Sequence, residues 1–121
     1  MPLAELYETH DAVGLADLVR RREVTPEELL DAALVRAEAL NPRLNALTML
    51  RPDVARRLIA DGLPDGPLRG VPFLLKDLGA EAVDFPVNNG SRLTAGTTYP
   101  EDSAIYARLK AGDGRGIRLH R

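Results

Sequence analysis

The sequence predicts an α/β fold that is rich in helix and has an incomplete sheet. Several segments carry capping residues followed by apolar side chains at three- and four-residue steps, the pattern of amphipathic helices. Only two short apolar runs, residues 44–50 and 71–75, are typical of strands. Because two strands form a marginal sheet, and parallel strands need helices on both faces, the pattern predicts the beginning of an α/β domain whose remaining sheet is missing.

The first predicted helix covers residues 12–22. Asp11 can cap its start, because an aspartate side chain accepts a hydrogen bond from the free amides of the first turn. Leu15, Leu18 and Val19 fall on one face of this helix, which is therefore expected to be the buried face.

A second helix is predicted from Thr25 onward. Thr25 is a favoured N-cap residue, Pro26 suits the first helical position, and Glu28 completes a capping box. The apolar residues that follow at helical spacing are Leu30, Ala33, Leu34, Ala37 and Leu40. Asn41 and Pro42 are expected to end the helix, since the residue before a proline disfavours helical geometry.

The remaining elements are shorter. In chain order they are a helix over 53–60 ended by Asp61 and Gly62, a loop over 61–70, turns and irregular chain over 79–100, and a last helix capped by Asp102 and Ser103 that carries Ile105, Tyr106 and Leu109.

Composition excludes several classes of protein. The 16 basic and 18 acidic residues among 121 are interspersed, with a net charge of −2, so the concentrated positive charge of a nucleic-acid binder is absent. With no cysteine there are no disulfides or thiolate zinc sites, and no acidic or histidine cluster has metal-ligand spacing, so no cofactor is expected. The sequence also lacks a signal peptide and an apolar segment of about 20 residues. A cytoplasmic protein without a membrane or nucleic-acid partner is predicted.

Lys76 is the main candidate for a catalytic residue. It follows the apolar run VPFLL at residues 71–75, and burial there would disfavour the charged ammonium and leave a neutral amine able to act as a general base. The alternative from these residues alone is structural, because a lysine at a strand end is more often paired with its neighbouring carboxylate, here Asp77.

Three other residues are weaker candidates. Ser91 lies in the turn sequence Asn-Asn-Gly-Ser-Arg, where a serine usually caps its own backbone. His10 and His120 lie near opposite ends of the chain. These residues give no basis for a Ser-His-Asp triad.

Several segments, in the correct order, resemble the amidase-signature family. The run GPLRGVPFLLKDL at residues 66–78 is similar to the family's segment around its catalytic lysine. TPEELLDAAL resembles an early helix of the family, NPRLNAL its first strand, and Asn89-Gly90-Ser91 the Gly-Ser turn after the lysine. Residues 102–111 resemble a following helix. The wording LLKDLGA is similar to the branch that includes 6-aminohexanoate-cyclic-dimer hydrolases.

This resemblance implies the hydrolysis of carboxylic amide C–N bonds of small molecules by a Ser-cisSer-Lys mechanism. In such enzymes the lysine takes a proton through a bridging serine, and a second serine attacks the carbonyl to form an acyl-enzyme. Backbone amides of a Gly- and Ser-rich loop hold the oxyanion. The resemblance assigns the role of base to Lys76 and neither serine role to Ser91. It also implies an α/β/α fold, of which residues 1–111 form the N-terminal portion.

The Gly- and Ser-rich loop with both serines has no counterpart in this sequence, so the chain is predicted to be inactive alone. Residues 112–121 replace the expected apolar strand with a glycine-rich basic tail. A one-base shift of the reading frame near Gly112 can encode an apolar stretch, which suggests a frameshift as the origin of the tail. Two alternatives are a small non-catalytic interaction module and one half of a split amidase that a complementing C-terminal chain completes.

Overall fold

The computed structural model describes residues 2–111, which contain five helices. The helices are α1 (Leu3–Thr9), α2 (Ala12–Arg20), α3 (Pro26–Leu44), α4 (Pro52–Asp61) and α5 (Ala104–Lys110). The chain divides into two compact units, Met1–Pro72 and Phe73–Arg121. The anomalous tail proposed for 112–121, with His120 and the frameshift near Gly112, lies outside the described residues. Within the described part, no helix is long and apolar enough to cross a membrane.

The core of the first unit is aliphatic. Its buried members are Leu6, Leu15, Leu18, Val24 and Leu29, and Leu29 is fully buried. Helix α1 was not predicted, although Leu3, Leu6 and Tyr7 have helical spacing. Tyr7 ties this short helix to α3, since its hydroxyl donates a 2.8 Å hydrogen bond to the Leu29 carbonyl.

The caps predicted for α2 and α3 are confirmed. Asp11 accepts a 2.8 Å hydrogen bond from the amide of Gly14 at the start of α2. At the start of α3, the Thr25 hydroxyl accepts from the Glu28 amide while the Glu28 carboxylate accepts from the Thr25 amide, which is a full capping box. Both starts are set by residues within four positions of each other, so they are readable from sequence.

The predicted end of α3 is wrong. The helix continues through Pro42 to Leu44 and ends at Asn45, which has a left-handed backbone. Pro42 is tolerated so near the end because its missing N–H leaves only one helical carbonyl unpaired. The side chain of Asn41 then stabilises the exit by accepting hydrogen bonds from the amides of Ala46 and Leu47, both at 3.0 Å.

The buried face of α3 is also shifted from the predicted one. Leu30 is buried as expected, but Leu40 is exposed, and the most deeply buried positions include Leu29 and Ala32. The apolar residues of α3 occupy more than one stripe, so periodicity alone does not select the side that contacts α1.

The two predicted strands do not form. Residues 45–50 are irregular because α3 occupies Leu44 and Asn45 reverses the backbone, and residues 71–75 are irregular as well. Across residues 2–111 the only β pairing consists of two isolated antiparallel bridges, Ala82 with Phe85 and Val87 with Thr97. A strand needs a ladder partner, and these apolar runs have none here. The α/β prediction is therefore only partly confirmed: helices dominate the described chain.

The other elements match their predictions closely. Helix α4 ends at Asp61, followed by Gly62 with a positive φ of 97°, and the loop over 61–70 and the irregular chain over 79–100 are present. In the second unit, Ser103 caps α5 by accepting from the Tyr106 amide. Tyr106 is buried and meets the ring of Phe85 edge to face at 6.3 Å.

Candidate functional site

Lys76 lies in the second unit, on an irregular segment, and its side chain is exposed. The apolar residues before it are exposed too, Phe73 by 48% and Leu74 by 70%. The expectation that a buried strand would desolvate Lys76 is therefore wrong for this structure. The physical reason is the missing sheet: without neighbouring strands, the run VPFLL has nothing to pack beneath. The catalytic role of Lys76 stays a prediction.

The carboxylate of Asp77 does not pair with Lys76. One of its oxygens accepts a 2.7 Å hydrogen bond from the backbone amide of Asn88, and the other accepts a 3.0 Å bond from the Asn88 side-chain amide. Both residues are half-buried. The structural alternative, in which Lys76 is neutralised by Asp77, is thus not what the described residues form.

The turn at residues 88–91 is a tight reversal with the features of a type I′ turn. Asn89 and Gly90 have positive φ angles of 53° and 65°, and the amide of Ser91 donates a 3.0 Å bond to the Asn88 carbonyl. Asn-Gly is the favoured sequence for this geometry. The Ser91 hydroxyl accepts from the Leu93 amide at 3.2 Å, so this serine caps its own backbone, as the sequence predicted.

The loop that follows the turn is held by side-chain hydrogen bonds to Asn88 and its neighbours. The Thr94 hydroxyl donates to the Asn88 carbonyl at 2.6 Å, and the Gly96 amide donates to the Asn88 side-chain oxygen at 2.8 Å. The Val87 amide then donates to the Thr97 carbonyl at 2.9 Å. Residues 87–97 therefore form a compact loop, called the Asn88 loop below, with Asn88 as its central residue.

A second polar cluster in this unit surrounds Asp102. Its carboxylate accepts a 2.9 Å hydrogen bond from the Val83 amide and pairs with the amine of Lys110, which also lies 4.8 Å from the centre of the Tyr106 ring. Burial acts to raise the pKa of Asp102, but the hydrogen bonds from Lys110 and Val83 outweigh it, and the net pKa lies below the ordinary value. The amine of Lys110 is occupied by this structural pairing.

His10 belongs to the first unit, where its Nδ1 is 2.9 Å from the Thr9 hydroxyl, whereas Ser91 belongs to the second unit. A cavity of about 340 Å³ in the first unit is lined partly by His10 and Arg21. The Arg21 guanidinium is already paired with Asp17 and Glu23. The positive charge that lines this cavity is therefore balanced within the unit and is not available to a ligand.

The pairing of Asp77 with Asn88 was not predicted from sequence. The two residues are eleven positions apart in irregular chain, and no periodic pattern links them. The available signal was partial: the Asn-Asn-Gly sequence predicts a tight turn, but not which upstream group its first asparagine binds.

The amidase family model matches residues 28–115 of the chain. The chain is similar to the 6-aminohexanoate-cyclic-dimer hydrolase of Pseudomonas sp. (strain NK87), with 44% identity over 68 residues, 56% of this chain and 13% of that protein. It is also similar to a glutamyl-tRNA(Gln) amidotransferase polypeptide of Salinispora arenicola, with 39% identity over 109 residues, 83% of this chain and 22% of that polypeptide. The corresponding polypeptide of Halothermothrix orenii is 33% identical over 100 residues, 83% of this chain and 20% of its own length. No solved structure matches the chain significantly.

The chain thus spans between 13% and 22% of the length of these relatives. The matched region contains the GPLRGVPFLLKDL run at 66–78, with Lys76, and the turn at 88–91. Because the family model covers most of the residues, including those that carried the resemblance, the chain belongs to the amidase family.

Proposed function

We propose that this chain is the N-terminal portion of an enzyme that hydrolyses small carboxylic amides, in which Lys76 is the general base. One observation supports this most strongly: the family match runs through the lysine segment and continues past the Gly-Ser turn. The named activity of the 6-aminohexanoate-cyclic-dimer hydrolases, which act on an amide ring, is consistent with this reaction class.

In the proposed mechanism the amine of Lys76 accepts a proton from a bridging serine, which in turn accepts the proton of a second serine. The oxygen of that second serine forms a bond to the amide carbon, the C–N bond breaks, and the leaving amine takes a proton. Water then hydrolyses the acyl-enzyme. Both serines, and the amides that hold the oxyanion, are assigned to the portion of the family's domain for which this sequence has no counterpart.

The chain alone is proposed to be inactive. Within residues 2–111 no hydroxyl group hydrogen-bonds to Lys76, and the lysine is exposed to water. A base without a nucleophile in reach cannot carry out acyl transfer. Further chain must supply both the serines and the apolar cover that excludes water from the amine.

A hybrid enzyme tests this proposal. Residues 1–111 replace the matching N-terminal segment of the 6-aminohexanoate-cyclic-dimer hydrolase of Paenarthrobacter ureafaciens, and hydrolysis of the cyclic dimer is measured. We expect activity in the hybrid, a loss of at least about a thousandfold in Lys76→Arg, and none in the 121-residue chain alone. Arginine keeps the positive charge but cannot act as a base, so it separates basicity from charge.

Lys110→Arg is the matched control, because it changes the other lysine of the chain while keeping the charge that pairs with Asp102. It should leave activity unchanged. A folded hybrid without activity, or a Lys76→Arg hybrid that retains it, contradicts the proposal.

A further inference from the structure

We propose that Asp77 is a positioning residue for Lys76, and that its hydrogen bonds to Asn88 fix the lysine segment to the Asn88 loop. This inference rests on the proposed role of Lys76 as base. It assigns to Asp77 no contact with the substrate or with the reacting atoms.

The attachment is made at two points. Asp77 accepts from the backbone amide of Asn88 at 2.7 Å and from its side-chain amide at 3.0 Å, so both carboxylate oxygens are used. Two bonds to one residue fix the direction of the Asp77 side chain as well as its distance. Because both residues are half-buried and the acceptor is charged, these bonds are stronger than ordinary surface hydrogen bonds.

Asn88 is in turn fixed by its own loop. Its carbonyl accepts from the Ser91 amide and the Thr94 hydroxyl, and its side-chain oxygen accepts from the Gly96 amide. Every polar group of Asn88 therefore has a partner within the second unit. Asp77 is attached to a loop that is already closed upon itself.

The consequence for Lys76 follows from covalent geometry. Neighbouring Cα atoms are about 3.8 Å apart, so fixing Asp77 restricts where the Lys76 side chain begins. The same bonds keep the carboxylate away from the amine, and in the described chain Lys76 and Asp77 form no ion pair. An ion pair would hold the amine in its charged form, which cannot accept a proton. Asp77 thus orders the backbone of the lysine without neutralising its amine.

The test compares Asp77→Asn with Asp102→Asn in the full 121-residue chain by NMR. In Asp77→Asn we expect the Asn88 amide to exchange with solvent about ten times faster, because an amide replaces the charged acceptor. We also expect the backbone and side-chain signals of Lys76 to shift and its backbone order to fall. Asp102 is the matched control, since it also accepts a backbone amide bond, from Val83, in the same unit.

Asp102→Asn should change the signals of Val83 and Lys110 and leave those of Lys76 in place. A general loosening of the unit would move the Lys76 signals in both variants and would overturn the inference. Unchanged Lys76 signals in Asp77→Asn, or an unprotected Asn88 amide in the unmodified chain, would also overturn it.

These readouts do not involve amide hydrolysis, so they are independent of the proposed function. In the hybrid enzyme, Asp77→Asn should lower kcat about tenfold or more with little change in KM, as expected of a misplaced base. If Lys76→Arg abolishes activity but Asp77→Asn leaves kcat intact, positioning by Asp77 is refuted and the proposed function stands. If Lys76→Arg is active, the proposed function fails whatever Asp77 does.

Discussion

Tyr7 links two helices of the first unit through a single hydroxyl group. Its 2.8 Å bond to the Leu29 carbonyl is half-buried, and burial raises the pKa of Tyr7 more than the nearby charge of Arg36 lowers it, so the phenol stays neutral and donates. We expect Tyr7→Phe to lower the free energy of unfolding by about 1 kcal/mol, since the ring remains packed and only the bond is lost. Denaturant unfolding measures this. Tyr99→Phe is the control, and an equal effect there would contradict the assignment.

Asp102 makes the stability of the second unit depend on pH. Its pKa is lowered in the folded state, so its ionised form contributes stability above the ordinary value of 3.8, and this contribution is lost as the pH falls below that value. We expect thermal unfolding of the second unit to become easier between about pH 5 and pH 3, on the order of the shift seen when paired carboxylates are protonated. Asp102→Asn should be less stable at about pH 7 by about 1 to 2 kcal/mol, and its stability should change less across the same range. A variant that keeps the full acid dependence would contradict this origin.

At the scale of elements, the turn at Gly70 is built into the first unit by close packing. Gly70 has a φ of 83°, and a Cβ placed there would lie 3.1 Å from a methyl carbon of Val19 and 3.2 Å from the ring of Pro26. Gly70→Ala is therefore expected to cost about 1 to 3 kcal/mol of unfolding free energy, from backbone strain and from overpacking.

Gly62→Ala separates these two contributions. Gly62 has a similar φ of 97° but nothing within 4 Å of the added carbon, so its variant carries backbone strain alone. Denaturant unfolding of both variants should show a larger loss for Gly70→Ala. Equal losses would mean that the contacts with Val19 and Pro26 add nothing.

The elements differ in how far the sequence could predict them. Helix starts such as the Thr25 capping box, and the reversal at Asn89 and Gly90, depend on residues a few positions apart, and both were predictable. The strand over 71–75 was not, because a strand forms only with a partner, and the described chain offers none. The pairing of Asp77 with Asn88 was missed for the related reason that two irregular segments meet without any periodic signal. In the candidate site, sequence therefore identified Lys76 but not its exposure or its neighbour's role.

For the whole molecule, the relevant feature is apolar surface without a cover. Phe73 and Leu74 precede the lysine in the open, and Leu93 is 94% exposed. Relatives that are several times longer contain further chain, and we attribute the cover of these side chains to it. In the isolated chain the same side chains would favour association.

We therefore expect the purified 121-residue chain to bind a hydrophobic dye and to associate as its concentration rises, as exposed apolar surface favours. Replacing Phe73 and Leu74 together by serine should weaken both effects without lowering stability, since neither side chain is buried. The control is Leu29→Ala, which should cost about 2 to 5 kcal/mol because Leu29 is fully buried. Sedimentation and dye fluorescence measure the outcome. A monomer that binds no dye and unfolds in one sharp, concentration-independent transition would instead favour a self-contained interaction module, because only a chain that covers its own apolar surface behaves in that way.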